Sequence, residues 1–130
     1  MQVLVDTSAW IHFFRDSDPV IREKVKVLLF EDKAVICPII LQEILQGIKT
    51  EKEAERISHF LNFIPKLKVD PYLVAIGSAE IFRRCRKEGI TIRKSPDCQI
   101  AFFANLEGIP LLHDDRDFSQ IGKVIHLEFF

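Results

Sequence analysis

Glycine is scarce in this chain, five among 130 residues, and no GxGxxG or GxxxxGK[ST] run occurs. A phosphate-cradling glycine loop is therefore not expected. Cysteine is scarcer still. Cys37, Cys85 and Cys98 are odd in number, far apart, and form no CxxC pair. That argues against a zinc site or a disulfide framework and suits a reducing compartment. The four histidines, His12, His59, His113 and His126, show no HExxH and no paired spacing. Ser8 lacks the context of a nucleophile elbow. A surplus of one charge is also missing: 18 Lys and Arg face 19 Asp and Glu, a formal net charge of −1. No global basic field points to nucleic acid, so local patches must decide that question. No apolar run approaches the length of a bilayer span. MQVLVDTSAW has no basic stretch ahead of a long apolar one, and the expectation is a cytoplasmic protein.

What is present has globular proportions, 48% hydrophobic and 28% charged. The length suits one domain with a real core. Val3 to Val5 is a short strand candidate, stopped by Asp6-Thr7-Ser8, which are turn and helix-cap residues. A short helix fits 9–15, and Asp18-Pro19 opens a second one. Residues 34–37 read as a buried strand closed by Pro38. Helices fit 40–49, with a stripe of Leu41, Ile44, Leu45 and Ile48, and 51–63. A brief strand at 67–69 and a helix at 72–87 follow, the helix stopped by Gly89. A helix from Ser95-Pro96-Asp97 to about 106, a strand at 109–112 and a last strand at 124–127 complete the chain. Alternating strands and helices imply an α/β fold with a central parallel sheet flanked by helices.

In such sheets ligands gather beyond the carboxyl ends of the strands. Asp6 lies just past the first strand, and Asp114 and Asp115 lie past the strand at 109–112. Turn preference alone leaves Asp6 evenly divided between a turn residue and a ligand. Asp97 suits the first turn of its helix, where a carboxylate meets the macrodipole. It also shares a face with Ile100, Ala101 and Ala104, which turns it inward, where a carboxylate needs a cation or strong hydrogen bonds. Glu43 lies opposite its helix's apolar stripe and by itself reads as solvated, although Gly47 leaves the space beside it open. Acids without histidine or cysteine partners favour Mg²⁺ or Mn²⁺ over zinc.

Four stretches in order, VLVDTSAWI at 3–11, ILQEILQGI at 40–48, SPDCQIAFFA at 95–104 and PLLHDDRDFSQI at 110–121, resemble the PIN domain. Within it they resemble the VapC-type ribonuclease toxins of toxin–antitoxin pairs. The resemblance covers nearly the whole chain and implies a three-layer PIN-like fold as a single domain over 1–130. It implies an endoribonuclease that hydrolyses RNA phosphodiesters with Mg²⁺ or Mn²⁺. Its acids, carried over by motif, are Asp6, Glu43, Asp97 and Asp115, with Asp117 at a further commonly acidic position. Thr7 and Ser8 match hydroxyl positions that support the first aspartate. Where many relatives carry Asn, this chain has Asp114, which leaves Asp114, Asp115 and Asp117 competing for one role.

RNA must reach a negative site past basic residues. Arg15, Arg93, Lys94 and Arg116 are the candidates, with Arg93 and Lys94 best placed by sequence. Arg83 to Lys87 read more simply as a solvated helix end. Trp10, Phe13, Phe14, Phe60, Leu61, Phe63 and Ile64 read mainly as core, or else as a groove for an amphipathic antitoxin helix. The resemblance also implies a homodimer and a small antitoxin partner. A phosphoacceptor receiver domain fits poorly, because Asp70 has no matching lysine near the end of the chain. The remaining rival is a non-catalytic RNA- or protein-interaction module on the same fold.

Overall fold

The computed structural model describes Met1–Phe130. Its elements run β1 (Val3–Val5), α1 (Thr7–Arg15), α2 (Pro19–Phe30), β2 (Ala34–Val35), α3 (Pro38–Gln46), α4 (Glu51–Leu61), α5 (Pro71–Lys87), α6 (Pro96–Glu107), β3 (Leu111–Leu112) and α7 (Arg116–Ile121). The sheet is parallel, in the order β2-β1-β3. Val3 and Leu4 face Ala34 and Val35, while Leu4 and Val5 face Leu111 and Leu112. Every residue of these three strands is buried, as expected for a parallel sheet covered on both faces.

Because β1 is central, the chain leaves it towards β2 on one side and reaches β3 on the other. The carboxyl end of β1 is therefore the switch point at which an open α/β sheet forms its crevice. Local chemistry brings the helices to that end. Asp6 caps α1 by accepting the Ser8 amide, and Asp115 caps α7 by accepting the Asp117 amide. Pro38 and Pro96 stand in the first turns of α3 and α6, where a missing N–H costs nothing. Gly108, at φ 63°, ends α6 in the left-handed conformation that glycine tolerates.

Two expected strands are corrected. Residues 67–69 form no strand; the pairing there is one parallel bridge, Ile36 to Lys66. Residues 124–127 form none either, and the bridge on that edge joins Leu111 to Phe129. In both places an apolar segment lies along a sheet edge. Leu67 is buried and Val69 half-buried, so hydrophobic burial gave the strand-like pattern without a ladder. At the second edge α7 and the turn after it take up the chain, and pairing begins only at Glu128, whose carbonyl accepts the Leu111 amide. The helix α7 itself was not expected; six residues are too few for a periodic signal.

The core is continuous across the sheet. Trp10, Leu4, Leu28, Ile40, Leu61, Ile100 and Phe118 are fully enclosed. Trp10, Phe13, Phe14 and Phe60 pack ring against ring, with centroids 5.5–6.2 Å apart. Phe63, grouped with them in sequence, is exposed. Helices α5 and α6 pack tightly at Gly77, where an added Cβ would lie 2.0 Å from the Phe102 ring. No helix is long and apolar enough to cross a membrane.

Candidate active site

The acids expected from the sequence converge at the carboxyl end of the sheet, each delivered by a different element. Asp6 leaves β1, is buried, and accepts the Ser8 hydroxyl at 2.5 Å and the Ser8 amide at 3.0 Å, both on Oδ2. Ser8 Oγ in turn accepts the Asp114 amide at 2.9 Å, which ties the end of β1 to the loop after β3. Thr7 Oγ1 donates to Glu43 Oε1 at 2.8 Å, bringing α3 to the same place.

The solvated reading of Glu43 is therefore corrected. The buried face of α3 is set by Ile40 and Ile44, and Glu43 emerges at its edge, half-buried, rather than opposite it. Asp97, in the first turn of α6, is 3% exposed and shares the inward face with Ile100, Ala101 and Ala104, all buried. Its Oδ2 is buried with no hydrogen-bond partner. Oxygens of Asp97, Asp115 and Asp117 lie within 4.8 Å of one another.

Three aspartates near the end of the chain have different surroundings. Asp114 is half-exposed and pairs with His12 Nε2 at 2.7 Å, away from the buried acids. Asp117 is buried, and both of its oxygens accept Arg93 Nε, at 3.2 and 3.4 Å. Asp115 is shared: Oδ1 accepts the Asp117 amide at 3.0 Å and Arg93 at 3.3 Å, and Oδ2 accepts Lys94 Nζ at 2.6 Å. Arg93 and Lys94 thus turn into the acids, a role that sequence reasoning missed. The signal was their position four and three residues, respectively, before the buried Asp97. Arg15 and Arg116 remain exposed. His113 is structural: Nδ1 accepts the Asp115 amide at 3.0 Å, and its ring meets Phe118 and Phe129 edge-on.

The charges behave accordingly. Burial pushes Asp6 up to about 6, against the pull of the Ser8 hydrogen bonds and with the help of the Glu43 charge. Burial pushes Asp97 up to about 7; Lys94 opposes this, while Asp115, Asp6 and Asp117 add to it. Burial also works on Asp115, but Lys94, the Asp117 amide and Arg93 outweigh it and hold that carboxyl below its ordinary range. The Lys94 ammonium is raised, chiefly by its bond to Asp115, with Asp97 and Asp6 contributing. Two buried acids pushed towards neutrality beside further acids form a site that favours a cation. The donors are all oxygen and one of them is orphaned, which fits a hard divalent ion. The cysteines take no part: all three are buried, and burial pushes Cys37 and Cys98 up to about 12.

Glu43 also borders a cavity of about 340 Å³, whose wall includes Ile11, Phe14, Arg15, Gly47 and Lys49. Space therefore adjoins the acids on the α1–α3 side, where Gly47 was expected to leave it.

Comparison with known proteins agrees with this geometry. The PIN domain family model matches residues 3–124. Ribonuclease VapC11 of Mycobacterium tuberculosis is 34% identical over 128 residues, covering 97% of this chain and 96% of the relative. The fold superposes on the crystal structure of VapBC2 from Rickettsia felis bound to a promoter DNA fragment. That match has a TM-score of 0.77 at 18% identity and covers 100% of this chain and 99% of the other. VapBC-1 of nontypeable Haemophilus influenzae matches with a TM-score of 0.75 at 20% identity, covering 100% and 97%. With the family model spanning nearly all of it and a relative at this identity over its length, the chain belongs to the PIN domain family, in its VapC ribonuclease branch.

Proposed function

We propose that this chain is a Mg²⁺- or Mn²⁺-dependent endoribonuclease acting as the toxin of a type II toxin–antitoxin pair. The observation that carries the reading is the unpartnered Oδ2 of Asp97, buried among acids that repel it. A carboxylate oxygen in that position lacks a cation. In this reading Asp6 and Asp97 are the leading metal ligands. Glu43 and Asp115 complete the set directly or through water, and Asp117 supports Asp115 from α7. Held by these acids, a divalent ion would supply activation of water and stabilisation of charge developing on the scissile phosphate.

The chain's own residues orient the site. Ser8 fixes Asp6 through its hydroxyl and amide, and Thr7 commits Glu43 Oε1 while leaving Oε2 free of hydrogen bonds within the chain. Arg93 neutralises Asp117, so that the cluster tolerates its own charge. RNA approaches over the exposed Arg15 and Arg116, contacts that give affinity without reading sequence. The protein works in the cytoplasm as a homodimer. A small antitoxin silences it by laying an amphipathic helix beside the half-buried rings of Phe13, Phe14 and Phe60; the solved VapBC complexes of the same fold support such a partner.

Purified protein incubated with RNA and Mg²⁺ or Mn²⁺, with Asp6→Asn as control, tests the reading. Cleavage that requires the ion and is lost in Asp6→Asn is expected. Metal-dependent cleavage persisting in Asp6→Asn refutes the site assignment. Absence of both cleavage and calorimetric metal binding favours the non-catalytic module, a reading that the ribonuclease relatives do not favour.

A further inference from the structure

Arg93 and Lys94 both reach the acids, but in different ways. Arg93 presents its planar fork to two carboxylates, with Nε on both oxygens of Asp117 and its terminal nitrogen on Asp115 Oδ1. A guanidinium in that geometry keeps its charge and its place. Lys94 has a single acceptor, Asp115 Oδ2 at 2.6 Å, at the end of a flexible stem whose side chain is half-exposed. Its charge is also felt by Asp97 and Asp6. Lys94 is therefore a cation seated on Asp115 and held there by one replaceable bond. A divalent ion held by Asp97 and Asp115 would compete with the ammonium for the Asp115 carboxylate. Once the ion supplies the positive charge, the ammonium is surplus among the acids, and the nearest new anion is a phosphate at the rim.

We propose that Lys94 is a tethered counter-cation of the acid site. Its ammonium sits on Asp115 while no divalent ion is bound, leaves when one enters, and then contacts an RNA phosphate. The inference rests on the metal-dependent reading above. It makes Lys94 a substrate-positioning residue whose availability depends on metal loading. Arg93 stays in place throughout, because removing it would strand the buried Asp117.

Calorimetry of Mn²⁺ binding to wild type and Lys94→Met tests the first half. Removing a half-exposed competing charge is expected to tighten Mn²⁺ binding about fivefold. The second half is tested with a labelled RNA oligonucleotide in Ca²⁺, under conditions checked for absence of cleavage. Lys94→Met is expected to bind more weakly, and the slope of log K against log salt is expected to become shallower by about 0.7, the value of one phosphate contact on a single strand. Lys94→Arg, which keeps the charge, is expected to restore the slope. Lys94→Gln repeats both measurements, and circular dichroism checks that each variant is folded. Mn²⁺ affinity unchanged or weaker in folded Lys94→Met and Lys94→Gln overturns the counter-cation role. An unchanged salt slope overturns the contact with phosphate. If wild type itself binds no Mn²⁺, the metal-dependent reading fails and this inference fails with it; if wild type binds and the variants bind no tighter, the inference fails alone.

Discussion

Asp97→Asn removes the acid whose buried Oδ2 has no hydrogen-bond partner, and it should change how stability depends on pH. The folded carboxyl is pushed up to about 7, while in the unfolded chain it returns to its ordinary value near 4. Between these values the unfolded state has released the proton and the folded state still holds it. The unfolded state then binds fewer protons, so metal-free stability falls as pH rises through this window and is fully reduced above about 7. Each pH unit is worth about 1.4 kcal/mol at most, so the whole window removes up to about 4 kcal/mol.

Asn cannot ionise and escapes that loss. His113 acts in the opposite direction: burial lowers it, so stability is lost as pH falls below its ordinary value. Both proteins carry His113, and the difference between them cancels it. Urea unfolding in EDTA from pH 5 to pH 8, for wild type and Asp97→Asn, measures the effect. The variant is expected to gain on wild type as pH rises to about 7, to level off beyond it, and to be more stable at pH 8 by up to about 4 kcal/mol. Mn²⁺ at pH 8 should then stabilise wild type more than the variant. Parallel stability curves, or a variant less stable than wild type at pH 8 in EDTA, would refute the account of Asp97.

Arg93→Met leaves the buried carboxylate of Asp117 without its side-chain partner; discounted for the half-exposed guanidinium, a loss of about 1–3 kcal/mol is expected by urea unfolding. Thr7→Val removes the 2.8 Å bond to Glu43 at a stability cost of about 0.5–1.5 kcal/mol, and calorimetry should find weaker Mn²⁺ binding if Glu43 belongs to the site. Gly77→Ala drives a methyl group into the Phe102 ring and should cost about 1–3 kcal/mol, recovered in part when Phe102 is also shortened to Leu. Ser8→Ala deprives Asp6 of its hydroxyl donor and the Asp114 amide of its acceptor, so the Asp6 carboxyl should titrate higher still, measurable by NMR.

The elements nearest the site were the most legible in sequence. Val3 to Val5 ended at a capping aspartate, proline stood at the openings of α2, α3, α5 and α6, and Gly108 closed α6. These are local signals, and they survive because each satisfies backbone groups within a few residues. The edges of the sheet were less legible. Apolar alternation at 67–69 and 124–127 reported burial, but pairing depends on a distant partner strand, and only Lys66 and Phe129 found one. Six residues of α7 carried too little periodicity to announce a helix.

The site divides along the same line. The sequence by itself determined that Asp97 faces inward, because helical spacing to Ile100, Ala101 and Ala104 requires it. It also put Asp6 and the acids after β3 at strand ends, where a parallel sheet opens its crevice. Only the tertiary structure gave the three late aspartates their different surroundings. Asp114 turns to His12, Asp117 is clasped by Arg93, and Asp115 is left shared between the cluster and Lys94. It alone brought Glu43 to Thr7 across 36 positions of sequence. The physical reason is that helix and strand periodicity fix the direction of a side chain within its own element. The partner it meets is fixed by how the elements pack, and a charge paired across elements leaves no local trace in the sequence.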